Sequence, residues 1–112
     1  MANDFKNAFK TNIAIDSGSY TTLYTAPVSK SSILLELDIS NTSASAITTS
    51  VTVTDTSASV TSYLVKGLSI PVGNTARVIA GQKIVLEATD IIKVAASAAS
   101  AADCVATVLE DV

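Results

Sequence analysis

The chain contains no histidine and no tryptophan, a single cysteine, two prolines and four glycines. Without histidine it lacks the commonest general base and the commonest metal ligand, which excludes a serine triad in its usual form and an imidazole metal centre. The glycines stand singly in turn-like stretches, so there is neither a phosphate-cradling loop nor a dinucleotide fingerprint. No cofactor is expected. Cys104 has no intrachain partner, and its strand-like setting reads as a small buried hydrophobe rather than a reactive thiol. Charge is scarce as well: 15% of residues are charged and the net charge is -3. That leaves no basic footprint for nucleic acid and no acidic tail. No apolar run approaches the roughly 20 residues that span a bilayer. The stretch Met1-Ala2-Asn3-Asp4-Phe5-Lys6 has charges where a signal peptide needs an apolar core. The expectation is a protein made and folded in a cytoplasm, with no membrane partner.

Aromatic residues are only 4% of the 112 while hydrophobic residues are 48%. The apolar share is therefore mostly Ala, Val, Ile and Leu, which bury less surface apiece than Phe or Trp. A single domain of this length sits near the size where buried area is scarce, so association with copies of itself would help it.

What is present is alternation. In Ser32–Asn41, Ile33, Leu35, Leu37 and Ile39 fall on one face at period two and Glu36, Asp38 and Ser40 on the other, the pattern of a half-buried strand. Strand-favouring residues recur in Tyr20–Thr25 before Pro27, and in Ile47–Thr54, with Ile47, Val51 and Val53 on one face and threonine and serine on the other. Val60–Lys66 continues the series. Thr75–Ala80 is expected to pair back across the turn Val72-Gly73-Asn74, Gly81-Gln82 to turn again, and Ala88-Thr89-Asp90 to close a tight hairpin between Lys83–Glu87 and Ile91–Ala95. Ala96–Ala102 reads as a loop, and Asp103–Leu109 as a final strand apolar on both faces. Short strands at intervals of about 8 to 12 residues without a long amphipathic helix predict an all-β fold, an antiparallel β-sandwich or jelly roll. Residues 12–112 would form that single domain and residues 1–11 a short helical or extended N-terminal arm. A helical turn there would be capped by Asn3 or Asp4 and would stack Phe5 and Phe9 at i and i+4. Such a segment is either frayed or docked. If docked, the two rings pack on the sandwich or against a neighbouring subunit.

Other candidate sites are thin. Glu36 and Asp38 share a strand face and invite comparison with a glycosidase carboxylate pair, although such neighbours normally just solvate the strand. Asp16, Asp55, Asp90 and Asp103 fall at predicted turns without EF-hand spacing, so a loop-end calcium site is a minor reading. Asn41-Thr42-Ser43 matches the glycosylation triplet by chance, and its turn nearly repeats in Asp55–Ser59, suggesting two similar turns at the same end of successive strands. Lys66, Arg77, Lys83 and Lys93 would line one rim or stand as isolated surface charges. Tyr20, Tyr24 and Tyr63 would form a sugar-stacking surface or, more simply, be buried with hydrogen-bonded hydroxyls. Nothing here assembles a reaction, and an enzyme is not expected.

The segments Leu23-Tyr24-Thr25-Ala26-Pro27, Ser40-Asn41-Thr42, Tyr63-Leu64-Val65-Lys66, Ile70-Pro71-Val72-Gly73-Asn74, Gly81–Glu87, Asp90–Val94 and Val108-Leu109-Glu110, in this order, resemble the small virion structural proteins of tailed bacteriophages, especially phages of cyanobacteria and other aquatic bacteria. The resemblance covers nearly all of the chain beyond Tyr20. It implies a virion component synthesised in the bacterial host cytoplasm: a capsid decoration or cement protein that stabilises the shell, or a neck, tail or fibre part. Its implied partners are copies of itself and other virion proteins such as the major capsid protein, and it carries no site residues over. A host-surface glycan-binding module, with the Ser/Thr loops at one end as its contact surface, is the competing reading.

Overall fold

The computed structural model describes residues 4–110. They form eight strands, β1 (Asp4–Lys10), β2 (Thr21–Thr25), β3 (Ser32–Asn41), β4 (Ile47–Asp55), β5 (Val60–Ile70), β6 (Thr75–Leu86), β7 (Ile91–Ala96) and β8 (Ala102–Glu110). There is no helix among them. Two four-stranded sheets, ordered β1-β8-β3-β6 and β2-β7-β4-β5, face each other. Pairing between the eight strands is antiparallel and nested: β1 with β8, β2 with β7, β3 with β6 and β4 with β5, and one isolated parallel bridge joins Ile15 to Ala96. This is the order of a jelly roll, in which one long hairpin with its tip at β4–β5 is wound so that the other successive strands alternate between sheets.

That winding corrects two expected hairpins. The β5–β6 and β6–β7 connections cross from one sheet to the other, so Thr75–Ala80 pairs with β3 rather than β5, and β7 pairs with β2 and β4. Nor does Gly81-Gln82 turn the chain. Between the pairs Leu34↔Ile84 and Glu36↔Ala80, β6 carries extra residues, and the strand absorbs them as a bulge with φ of 107° at Gly81 and 62° at Lys83.

A second bulge resets β3. Leu34 pairs with Val108 and Glu36 with Thr107, which leaves Leu35 as the extra residue against β8. The inward face therefore runs Ser32, Leu34, then Leu37, Ile39 and Asn41, all buried, while Ile33 joins the outer face with Glu36, Asp38 and Ser40. The strand is where the alternation placed it, but its first half faces the opposite way. Along β4 no such slip occurs up to Val53: Ile47 and Val51 are core and Val53 packs against it.

The core is wholly aliphatic apart from Cys104. Leu23, Leu34, Leu37, Ile39, Ile70, Leu86, Ile92, Val94 and Val108 meet between the sheets, and Ala102, Cys104 and Ala106 line β8. Neither phenylalanine is buried. The accessible surface of 5800 Å² matches the size scaling of a folded monomer of this mass, so their exposure does not come from loose packing.

The N-terminal segment is extended, not helical. Residues 4–10 pair along their length with β8 and complete the first sheet; Asn3 lies outside the described residues. A spacing of i to i+4 puts two rings on one face in a helix and in a strand alike, so it does not choose between them. The strands Tyr20–Thr25 and Asp103–Leu109 and the loop after Ala96 lie where expected, with ends one residue or so shifted.

Chain reversal at every connection means that successive turns alternate ends, so the Asn41 and Asp55 turns lie at opposite ends of the roll. At the first, buried Asn41 donates from Nδ2 to the carbonyls of Ser45 (2.8 Å) and Ile70 (3.0 Å) and accepts from Ser43 N–H (2.9 Å), an Asx-turn that fully employs the amide and leaves no free nitrogen for a glycan. At the second, Asp55 Oδ1 accepts from Ser57 Oγ (2.8 Å) and Ala58 N–H (3.3 Å).

The β3 bulge makes adjacent leucines unequal. Leu34→Ala should cost about 2 to 5 kcal/mol of stability, as cavity-forming core changes do, and Leu35→Ala under about 1 kcal/mol. Denaturant midpoints for the two variants check this, and equal losses would contradict the register.

Candidate functional site

The outer face of the first sheet carries an apolar row that crosses all four strands. Phe5 sits beside Leu109, Leu109 beside Ile33, and Ile33 beside Val85. In a parallel row Phe9 sits beside Val105, which in turn neighbours Asp38 and then Arg77. Phe5 is 72% exposed, Phe9 64%, Val85 67% and Val105 45%. Exposed apolar side chains that gather on one face mark a contact surface far better than the same residues scattered singly. Among the described residues β1 also has no strand partner along its outer edge.

The carboxylate pair Glu36 and Asp38 stands on this face. Asp38 is pushed above the usual carboxylate range by burial first and then by Glu36 beside it, with Arg77 across the strand pulling the other way. Asp38 Oδ1 is buried without a hydrogen-bond partner among the described residues. The four basic residues do not share a rim: Arg77 and Lys83 belong to β6 in the first sheet, Lys66 and Lys93 to β5 and β7 in the second.

The tyrosines divide. Tyr24 on β2 reaches across to the first sheet, where its hydroxyl donates to Glu110 Oε2 (2.5 Å) and pairs with the Ser32 hydroxyl (2.9 Å). It is a bolt between the sheets. Burial, then the bond to Glu110, pushes it up to about 12. Tyr20 and Tyr63 instead meet on the outer face of the second sheet, in a groove of about 310 Å³ lined with Ser19, Thr52, Thr54, Thr61 and Lys93. Contact with the Tyr63 hydroxyl, followed by burial, raises Tyr20.

Of the four turn aspartates, Asp16 lies in the β1–β2 connection and Asp103 lies within β8. Asp55 and Asp90 come together, joined by Glu87, with carboxylate oxygens within 4.8 Å of one another beside a cavity of about 570 Å³. Glu87 was not singled out in the sequence; only the β6–β7 crossing brings it here. The two aspartates are already engaged in fastening loops. Asp90 accepts from Glu87 N–H (3.0 Å) and Thr56 N–H (3.3 Å), and Asp55 is held below the usual range by the Ser57 hydroxyl and then the Ala58 N–H. Cys104 is buried, and burial pushes its thiol up to about 12, which makes it a packing residue.

Order and pairing define the class: an eight-stranded jelly roll, an architecture used by viral shells and lectins among others. Among solved structures, the chain is similar to one from the T13 IBDV viral particle, with a TM-score of 0.57 and 12% identity over 96% of this chain and 30% of that one. It is also similar to one from infectious bursal disease virus, Gx strain, with a TM-score of 0.53 and 13% identity over 97% of this chain and 31% of that one. The chain thus spans about a third of the viral chains it matches, and at these identities the likeness is one of fold. No protein-family model and no curated protein matches.

Because Tyr24 titrates higher folded than unfolded, its protonated form contributes stability that is complete below about 10 and is lost as pH rises toward about 12. Cys104 acts in the same direction, from about 9 upward. Tyr24→Phe should lower stability at neutral pH by about 1 to 2 kcal/mol and lose less of the remainder between pH 10 and 12 than the parent chain. Thermal melts across that range test both statements, and a parallel alkaline decline in the two proteins would remove Tyr24 from the account.

Proposed function

We propose that this protein is a structural component of a virus particle, seated through the outer face of its first sheet. The observation that carries the reading is the combination of a jelly roll shared with chains of viral particles and an apolar row laid across that sheet. In finer terms it is a decoration or cement protein of a tailed-phage capsid that stabilises the shell, with copies of itself and the major capsid protein as partners. The phage resemblance of its segments supports this choice. A neck, tail or fibre position is the alternative. Nucleic acid and membranes are not partners in this reading, and neither a reaction nor a cofactor is part of it.

Phe5 and Phe9 are the contact residues. Burying a phenylalanine side chain is worth about 2 to 3 kcal/mol, so the pair would supply a large share of a subunit contact. Removing residues 1–10 would strip β1 from β8 and expose a new edge, so substitution is the cleaner experiment than deletion. Phe5→Ser with Phe9→Ser should leave monomer stability within about 0.5 kcal/mol, since both rings are exposed, while weakening binding to stripped particles at least tenfold. Mass spectrometry of purified particles should find the protein in many copies, travelling with DNA-filled heads rather than detached tails. Its absence from particles would end the proposal, and a dozen copies or fewer would favour the neck, tail or fibre position.

A further inference from the structure

The tyrosine groove on the second sheet is left unused by an assembly role for the first. Register places Thr22, Lys93, Thr52 and Tyr63 in one row across β2, β7, β4 and β5, all on the outer face. Outer-face threonines and serines are ordinarily exposed, yet Ser50 is only 5% exposed and Thr52 6%. Tyr20 lies close to Ser50 and Tyr63, and Tyr20, Thr52 and Tyr63 share the groove wall. A second row supplies paired hydroxyls, with Thr54 and Thr61 bonded to each other at 2.9 Å. Lys93 is the charged residue of the lining, and the Lys66 ammonium stands over one face of the Tyr63 ring, 5.3 Å from its centre.

We propose that this groove binds an acidic oligosaccharide, with Tyr20 and Tyr63 as the stacking platform and Lys93 as the carboxylate contact. The chemistry argues for that class. Tyrosine rings present electron-rich faces to the polarised C–H bonds of a sugar while their hydroxyls bond its oxygens. Threonine hydroxyls both donate and accept, as a polyol requires. Lys93 offers a cation to an anionic sugar, and among the described residues the groove lining includes no carboxylate to neutralise it. The volume lies at the lower end of ligand pockets, about 300 to 1,000 Å³, which suits a short saccharide rather than a nucleotide cofactor. The site faces away from the first sheet, so a particle-bound copy would still present it.

The experiment is amide shift mapping by NMR on the full chain, titrated with trigalacturonate and sialyllactose and, separately, with neutral maltotriose. The expected result is a set of perturbations at Tyr20, Thr52, Tyr63 and Lys93 with an acidic sugar, and at least tenfold weaker binding of maltotriose. Lys93→Gln should abolish the preference for acid, and Tyr63→Ala should abolish binding of every sugar, with a preserved amide spectrum showing that each variant is folded. No perturbation by either acidic sugar at millimolar concentration would overturn the proposal, as would shifts confined to the first sheet. Equal affinity for acidic and neutral sugars, unchanged by Lys93→Gln, would overturn the assignment to acidic sugars. Because the isolated chain is used, failure here leaves the virion reading standing, and absence from particles would leave this site standing.

Discussion

Backbone pairing between strands remote in sequence is the constraint on which everything else rests. Of the four nested pairs, only β4 with β5 joins neighbours in the chain; β1 reaches β8 and β2 reaches β7 across most of its length. Closing such long loops costs entropy before any apolar contact repays it. The β4–β5 hairpin is thus the cheapest place for order to begin, with the other pairs added outward in sequence. The turns then act as rivets. Asp90 alone accepts amide hydrogens from two different connections, and Asn41 does the equivalent work at the other end.

This winding also explains the aromatic economy. Two sheets whose facing side chains are mainly Leu, Ile, Val and Ala fill the space between them with Tyr24 reaching across, and β8, the strand between β1 and β3, presents Ala102, Cys104 and Ala106 inward. Phenylalanine has no place there and stands on the surface. What reads in the composition as a weak core is in the structure a thin, complete one with its phenylalanines turned outward.

The sequence disclosed strands well because period-two alternation is a local signal. It disclosed pairing poorly because pairing is not. Nothing local distinguishes a turn that closes a hairpin from one that crosses to the other sheet, which is why Ala88-Thr89-Asp90 reads as the former. Bulges are equally silent: Leu35 looks like one more inward residue until its partners on β8 show it to be the extra one. Phe5 and Phe9 were legible as large apolar groups with no strand core to enter. Their alignment with Leu109, Ile33 and Val85 follows from register alone. The tyrosines were visible as a trio, but the fold sends Tyr24 through the sandwich and gathers only the other two with Lys93.

Asp4 is paired with Glu110, so the outermost strands of the nest bring the two ends of the described chain to neighbouring positions, about 5 Å apart at the backbone. A roll closed in this way behaves mechanically like a lasso. Tension applied to both ends peels β1 from β8 one bond pair at a time instead of shearing the whole seam. The same closeness lets the roll be spliced into a surface loop of a larger protein without stretching either host or guest.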